Sequence, residues 1–573
     1  MTNRSNADHK ITHLEVNNKT IVNPTEIAEQ FNNFFVNIGP ELAKKIPHSI
    51  KKPKAFLKGD FSDSIFLSPT TTEEVYDIIL NMKNSTSTSH DNIPVKIVKF
   101  CGKELSEVLA HVNNESMQDG KCPDSLKIAK VVPIYKAGDA LTVSNYRPIS
   151  ILPTFSKITE KIIYSRLNRY LTDHNILHQN QFGFRSKLST SMALLELIDK
   201  LTKAVDEKQI TIGIFVDLAK AFDTVDHDVL IDKLQFYGIR GVALDWFRNY
   251  LTDRKQFVSI NKFDSRLLPI KCGVPQGSIL GPILFLIYIN DLNYISKVLN
   301  TIMFADDTNL FLTGRSLLEL EKQMNDELII INDWFQANLL SLNISKTSYI
   351  IFGNKSFQDV KLHIHNFNLI RQYETKFLGV ILSANLSWNK HVEIILCKVS
   401  KNIGIICKVR HLLPRELTIM LYKTLVEPYI SYCNLVWALP RKTVLLDRIF
   451  KLQKKYCRIL TFSGFTAHSS PLFAELKLLS VYNIYKYQMG IYMYKIINNS
   501  IPTLGHHTFK TNSQVHNYNT RQKEKLHIEF SRTTMRQNTM THQGVQLWNG
   551  LSDELRSAPS CNIFKKLYRL TLE

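Results

Sequence analysis

Met303-Phe304-Ala305-Asp306-Asp307-Thr308-Asn309-Leu310 sets two adjacent carboxylates between two short apolar runs, Thr301 to Phe304 and Leu310 to Leu312. That pattern predicts a β-hairpin with the acids at its turn. Taken alone the pair has an ordinary explanation, because Asp tolerates bent backbone and hydrogen-bonds to it locally. A second strand-like run, Ile212-Gly213-Ile214-Phe215-Val216, loses its apolar character at Asp217. Acids presented from strand ends on one sheet could hold two divalent cations. Phosphoryl transfer between nucleotides needs such a pair to stabilise the attacking and leaving oxygens, and magnesium prefers carboxylate, phosphate and water oxygens.

Between these acids lies Gly273-Val274-Pro275-Gln276-Gly277-Ser278-Ile279-Leu280-Gly281-Pro282. Its glycines let backbone approach another surface, and Gln276 offers both a donor and an acceptor. The plainer reading is a tight loop entering a helix through Leu284, Leu286 and Tyr288. Upstream, Tyr135-Lys136-Ala137-Gly138-Asp139 and Asn145-Tyr146-Arg147-Pro148 set Lys136 and Arg147 on loops, where cations could clamp phosphates or simply be solvated.

Outward from this centre, short strands alternate with amphipathic helices from Lys130 onward, an α+β or α/β signature. Asn23-Pro24-Thr25-Glu26 starts a helix, with Ile27, Phe31, Phe34, Phe35 and Ile38 on one face and Gly39-Pro40 as its expected stop. Thr71-x-x-Glu74 can form a capping box, and Asn84 to Ser89 reads as a polar linker. Beyond Leu386 the pattern is helical, as in Leu445, Ile449, Leu452 and Cys457 with lysines between.

Residues 1–350 carry 40 Lys and Arg against 39 Asp and Glu, whereas residues 351–573 carry 31 against 12. A basic second part suits a polyanion such as a nucleic-acid backbone, with a solvated basic surface as the alternative. The eight cysteines are scattered without metal-finger spacing and read as buried small hydrophobes in a reducing compartment. Met1-Thr2-Asn3-Arg4-Ser5 is polar, without a signal core. The longest apolar run, Ile279 to Ile289, is too short to span a bilayer, so no membrane partner is expected.

The motifs together resemble the reverse transcriptases of non-LTR (LINE-type, Jockey-like) retrotransposons. The resemblance runs in order through Asn145 to Ser150, Gln181-Phe182-Gly183-Phe184-Arg185, Phe215 to Asp223, Gly273 to Pro282, Phe304 to Asp307, Leu342 to Thr347 and Phe377 to Val380. It implies an RNA-directed DNA polymerase with a right-hand α+β fold of fingers, palm and thumb and an antiparallel palm sheet. The implied divisions are a helical N-terminal extension (1–95), fingers and palm (96–385), a helical thumb (386–470) and a basic C-terminal extension (471–573).

By position, Asp217, Asp306 and Asp307 would hold two Mg²⁺ ions, with Mn²⁺ possible and the Leu218 carbonyl a further ligand. Phe222 matches the aromatic gate that excludes a ribose 2′-OH. Gln276 and Gly277 match the nucleotide and template pocket, Lys136 and Arg147 the triphosphate grip, and Lys346 a general acid near the leaving pyrophosphate. Phe377, Leu378 and Gly379 match a primer grip, and Arg185 a nucleic-acid contact. Lys451, Lys454, Lys455 and Arg458 would face a template–primer duplex from the thumb. Arg521, Lys523, Arg532, Arg536 and Leu547-Trp548-Asn549-Gly550-Leu551 resemble the C-terminal extension, with RNA or target-DNA binding expected and Trp548 expected to pack.

The chain departs from the family in Phe304, where Tyr is usual, and in Ser89-His90-Asp91-Asn92-Ile93-Pro94, which lacks the usual glycines. No nuclease acid/His set, RNase H acids or zinc knuckle is visible, and His506-His507 reads as an exposed pair. The implied partners are an RNA template, the element's own transcript, with a DNA primer or nicked target DNA, dNTPs and an endonuclease in trans. The implied location is an intracellular ribonucleoprotein of nucleus and cytoplasm. The rival readings are a catalytically silent or domesticated nucleic-acid-binding protein and a maturase-like RNA-binding protein.

Overall fold

Ile212, Ile214 and Val216 alternate with Gly213 and Phe215 along Ile210–Val216, and the strand they build is the centre of a five-stranded sheet. The computed structural model describes residues 11–573 apart from 17, 48, 356, 439–442, 503–508 and 516–521, so His506-His507 and Arg521 lie outside the described residues. Asp307–Gly314 pairs antiparallel on one side, with Thr308 opposite Val216, and Asn300–Phe304 completes the expected hairpin beyond it. Ser348–Phe352 pairs antiparallel on the other side and carries Ile370–Arg371 in parallel at the edge.

Because side chains alternate across a strand, the sheet feeds two cores. Ile212, Ile214, Leu310 and Leu312 share one with helices Thr154–Asp173, Leu280–Ile289 and Leu317–Ala337. Phe215, Phe311, Ile350 and Phe352 share the other with helix Thr190–Asp206 and the C-terminal helices. Gly213 is required between them, since a Cβ there would lie 2.8 Å from the Phe311 ring and 2.9 Å from that of Phe352.

A second sheet joins Ile128–Tyr135 antiparallel to Tyr146–Ile151 and parallel to Lys255–Ile260. Helix Pro24–Lys44 covers it through Ile27, Ala28, Phe31 and Phe35, packed with Val131, Tyr146, Val258 and Ile260. The Asn23 side chain caps this helix by accepting from the Thr25 and Glu26 amides. The expected stop at Gly39-Pro40 is corrected: the helix continues to Lys44. Gly39 serves close approach rather than termination, because a Cβ there would lie 2.3 Å from the Asp223 carbonyl oxygen. Thr71 caps the next helix as expected, accepting from the Glu74 amide, but the Glu74 carboxylate turns away to Arg166 and Thr70.

Beyond residue 386 the chain is helical, and helices Asn389–Val409, Thr443–Leu460, Val481–Ile497 and Cys561–Leu572 contribute to the second core. Trp548 packs there beside Tyr494 and Phe564. The C-terminal segment docks on helix Thr190–Asp206: Asp206 Oδ1 accepts from the Thr533 amide and hydroxyl, and Arg536 pairs with Asp199 at 2.5 Å. Arg532 donates to the Asp206 and Val205 carbonyls. Arg536, expected on nucleic acid, is buried and holds the tail to the core instead, whereas Arg532 makes its contacts from an exposed position. The cysteines also divide: Cys122, Cys433 and Cys457 are buried, whereas Cys397 is exposed. No described helix is long and apolar enough to cross a membrane.

Candidate active site

Phe304 pairs with Asp307, so Ala305 and Asp306 form a two-residue turn. Ala305 takes φ 56°, a conformation that a residue with a Cβ seldom adopts. The buried Gln181 holds it there. Its Oε1 accepts from the Ala305 amide at 2.9 Å and the Gly183 amide at 2.8 Å, while Nε2 donates to the Ala305 carbonyl at 3.4 Å. The backbone beside it runs parallel to the hairpin, with the Phe182 amide on the Met303 carbonyl and the Met303 amide on the Asn180 carbonyl. Gly183 fits against the turn only without a side chain, since a Cβ would lie 2.2 Å from the Ala305 nitrogen.

Asp217 follows the central strand, one residue beyond the Val216–Thr308 pair, and so lies beside the acidic turn. The segment Leu342 to Thr347 wraps its other side. Asn343 Nδ2 donates to Asp217 Oδ2 at 2.8 Å, and the Asn343 amide donates to the Asp217 carbonyl. Leu218 bridges to Leu342, and the Thr347 hydroxyl accepts from the Asp217 amide. Lys346 is exposed on this wrap, its amide bonded to the Asn343 carbonyl.

The three carboxylates feel one another. Burial, then Asp306 and Asp217, pushes Asp307 up to about 6. Asp306 is raised by burial and by Asp217, against the lowering effect of its own backbone hydrogen bond, Arg147 and Lys136. Lys136, just past strand Ile128–Tyr135, and Arg147, which lies in strand Tyr146–Ile151 rather than on the expected loop, are thus both near enough to act on Asp306. Lys220 lies near them, donating to the Ser144 and Tyr146 carbonyls; burial lowers its pKa against the raising effect of Asp223, and Lys136, Arg147 and Lys346 add to the lowering.

Among the described residues no three His, Cys, Asp or Glu side chains stand close enough to hold one metal ion by themselves. The acids are gathered without a closed protein cage. An all-oxygen set of carboxylates whose ionised forms repel one another suits a hard divalent cation that keeps waters and substrate phosphates among its ligands.

Phe222 stacks on Phe285 with centroids 4.5 Å apart. Gln276 Nε2 donates to Asp223 Oδ1 at 2.8 Å, and the Gln276 carbonyl accepts from the Ser150 amide. Gly277, at φ 128°, fits under the Ser150 carbonyl, where a Cβ would come within 2.5 Å. Asp223 is pushed up to about 6 by burial, and its Oδ2 has no hydrogen-bond partner among the described residues.

Other expected residues stand differently. Arg185 donates to the His178 and Gln181 carbonyls, so it braces the loop that carries Gln181. Phe377 is buried beside Phe215, and Leu378-Gly379 forms a two-residue turn whose Leu378 carbonyl accepts from the Tyr432 hydroxyl. Lys451 and Lys455 are exposed on helix Thr443–Leu460, whereas Lys454 lies over the Phe450 ring and Arg458 donates to the Ala467 carbonyl. Gln181, Asn343, Lys220 and Asp223 were not singled out by sequence, although each falls inside a quoted motif. Their roles depend on partners that no local pattern reveals.

Residues 134–382 match the family described as reverse transcriptase (RNA-dependent DNA polymerase). The chain is 27% identical over 449 residues to the RNA-directed DNA polymerase from mobile element jockey of Drosophila melanogaster, covering 75% of this chain and 48% of that protein. It is 27% identical over 440 residues to the probable RNA-directed DNA polymerase from transposon BS of the same fly, covering 73% and 47%. The corresponding protein from transposon X-element is 27% identical over 435 residues, again covering 73% and 47%. The chain thus spans about half the length of the curated relatives it matches, and its residues 134–382, a mixed α/β region, are similar to the reverse transcriptase family.

Proposed function

We propose that this chain, through its reverse transcriptase domain, is an RNA-directed DNA polymerase of a non-LTR mobile element that adds dNTPs to a primer 3′-OH on an RNA template. The observation that carries the reading is the convergence of Asp217 with the Asp306-Asp307 turn, near Lys136 and Arg147. Asp217, Asp306 and Asp307 would hold two divalent cations, magnesium or manganese. When bound, these supply the positive charge that stabilises the attacking and leaving oxygens. The Leu218 carbonyl, next to Asp217, is available as a further oxygen ligand.

The chain's own groups do the rest. Asn343 fixes the Asp217 carboxylate, and Gln181 fixes the turn that carries Asp306. Lys136 and Arg147 bind the triphosphate, and Lys346 delivers a proton toward the leaving pyrophosphate. Phe222 limits space at the sugar, and Gln276-Gly277 lines the pocket. In this reading the five-stranded sheet is the palm, the sheet at 128–260 belongs to the fingers, residues 386–470 form the thumb, and 471–573 is an extension locked to the palm helix Thr190–Asp206. Phe377-Leu378-Gly379 grips the primer, Lys451 and Lys455 meet the duplex backbone, and Arg185 acts by bracing its loop. The partners are the element's own RNA, a primer or nicked DNA end and an endonuclease in trans, in a ribonucleoprotein of cytoplasm and nucleus.

Primer extension on poly(rA)/oligo(dT) with Mg²⁺ tests the reading. The chain should extend the primer, and Asp306→Ala should lose at least about 10²-fold, the scale of removing one charge-stabilising group. RNA binding without extension by either protein would leave only the nucleic-acid-binding alternative.

A further inference from the structure

Phe184 breaks two rules at once. It is a large aromatic that stays 52% exposed, and its backbone sits at φ 52°, where a bulky side chain is a genuine outlier. Strain of this kind persists only where the surroundings over-determine it, and it collects at functional sites. The surroundings here are explicit. On the N-terminal side, Gly183 is pressed against the Ala305 backbone and its amide is held by Gln181. On the C-terminal side, Arg185 is tied to the His178 and Gln181 carbonyls. The clamp that shapes the acidic turn thus also holds the backbone on either side of Phe184.

That ring meets Phe222 edge-on, with centroids 6.2 Å apart and planes at 90°. Phe222 in turn stacks on Phe285, which is fully buried in the core. Phe222 is therefore backed by one ring and flanked by another: Phe285 is fully buried, Phe222 partly buried and Phe184 exposed. Burial explains Phe285; it does not explain why an exposed position beside the acidic turn should carry a strained aromatic.

We propose that Phe184 is a specificity-determining residue, the side wall that keeps Phe222 in the position from which it excludes a ribose 2′-OH. The inference rests on the polymerase reading above. Phe222 is braced from behind by Phe285, but without Phe184 it can swing sideways and admit the larger sugar. The edge-to-face contact uses the ring and not a hydroxyl, so Tyr at position 184 should serve as well as Phe.

The test is single-nucleotide primer extension by the full chain on an RNA template, with kcat and KM measured for one dNTP and the matching rNTP. Phe184→Ala should lower the ratio of dNTP to rNTP kcat/KM by about 2- to 10-fold, the scale of one aromatic pair contact, through better use of the rNTP. Phe184→Tyr should keep the ratio, and Phe222→Val should lower it further. An active Phe184→Ala chain with an unchanged ratio, or one that loses dNTP and rNTP use equally, overturns the inference alone, as does a ratio lost in Phe184→Tyr. A wild-type chain that extends no primer overturns the polymerase reading and this inference with it.

Discussion

The acidic turn and the basic C-terminal half are both charged, but they hold their charge differently. Asp306 and Asp307 are partly desolvated beside Asp217, with Lys136 and Arg147 near, so burial and neighbouring carboxylates raise the pKa of both turn acids. Lys451 and Lys455 stand exposed on a helix, whereas Arg536 is absorbed into the packing of the tail. A charge excess counted along a sequence thus mixes cations that reach a ligand with cations that hold the fold. An acidic pair at a predicted turn, with a third acid at a neighbouring strand end, specifies a place.

The sharpest way to break that contrast is Arg536→Ala. Its partner Asp199 is 4% exposed and would be left a buried carboxylate with the Thr541 hydroxyl but without its cation. Breaking a buried pair from one side costs about 3–5 kcal/mol, so chemical denaturation should show a loss of that size. The salt dependence of RNA binding should not change. A weaker salt slope with unaltered stability would return Arg536 to the nucleic-acid surface.

A smaller effect should separate the acidic site from the rest of the molecule. Asp307 has its pKa raised from 3.8 to about 6, so ionising it costs the folded state more than the unfolded one. Its contribution to stability is therefore lost as pH rises through that window, and above pH 6 the ionised carboxylates repel. A divalent cation that binds the ionised site reverses the penalty. Millimolar Mg²⁺ should raise the thermal midpoint by about 1–3 °C at pH 7.5, less at pH 5, and not at all in Asp306→Asn. An equal rise in that variant would move the metal site elsewhere.

What was legible in the sequence follows the same division. The hairpin, the strand ending at Asp217 and the Thr71 cap rest on local alternation and local chemistry, and they fold as read. Gly39-Pro40 reads locally as a stop, yet Gly39 is selected by the Asp223 loop packed on it. Gln181 and Asn343 carry no charge to draw attention, and their meaning lies in Ala305 and Asp217, far away in the chain. Arg536 looked like a surface cation because nothing local announces Asp199 as its partner.

The least effect, and the one that most sharpens the contrast, belongs to Lys451 and Lys455. They lie one turn apart on Thr443–Leu460, both exposed, while Lys454 is drawn over Phe450 and Arg458 to the Ala467 carbonyl. Four cations that look equivalent in sequence therefore fall into two pairs. Each exposed lysine that neutralises one phosphate should contribute a slope of about −0.7 to −0.9 in a plot of log K against log salt. Removing it should weaken template–primer binding by about 2- to 5-fold near physiological salt. The double variant Lys451→Ala/Lys455→Ala should flatten the slope by the sum of the two, because exposed, separate contacts act independently. Lys454→Ala and Arg458→Ala should instead leave the slope nearly unchanged and lower stability slightly. If all four variants flatten the slope equally, the basic helix works as an undivided patch, and the distinction between cations that bind and cations that pack fails here.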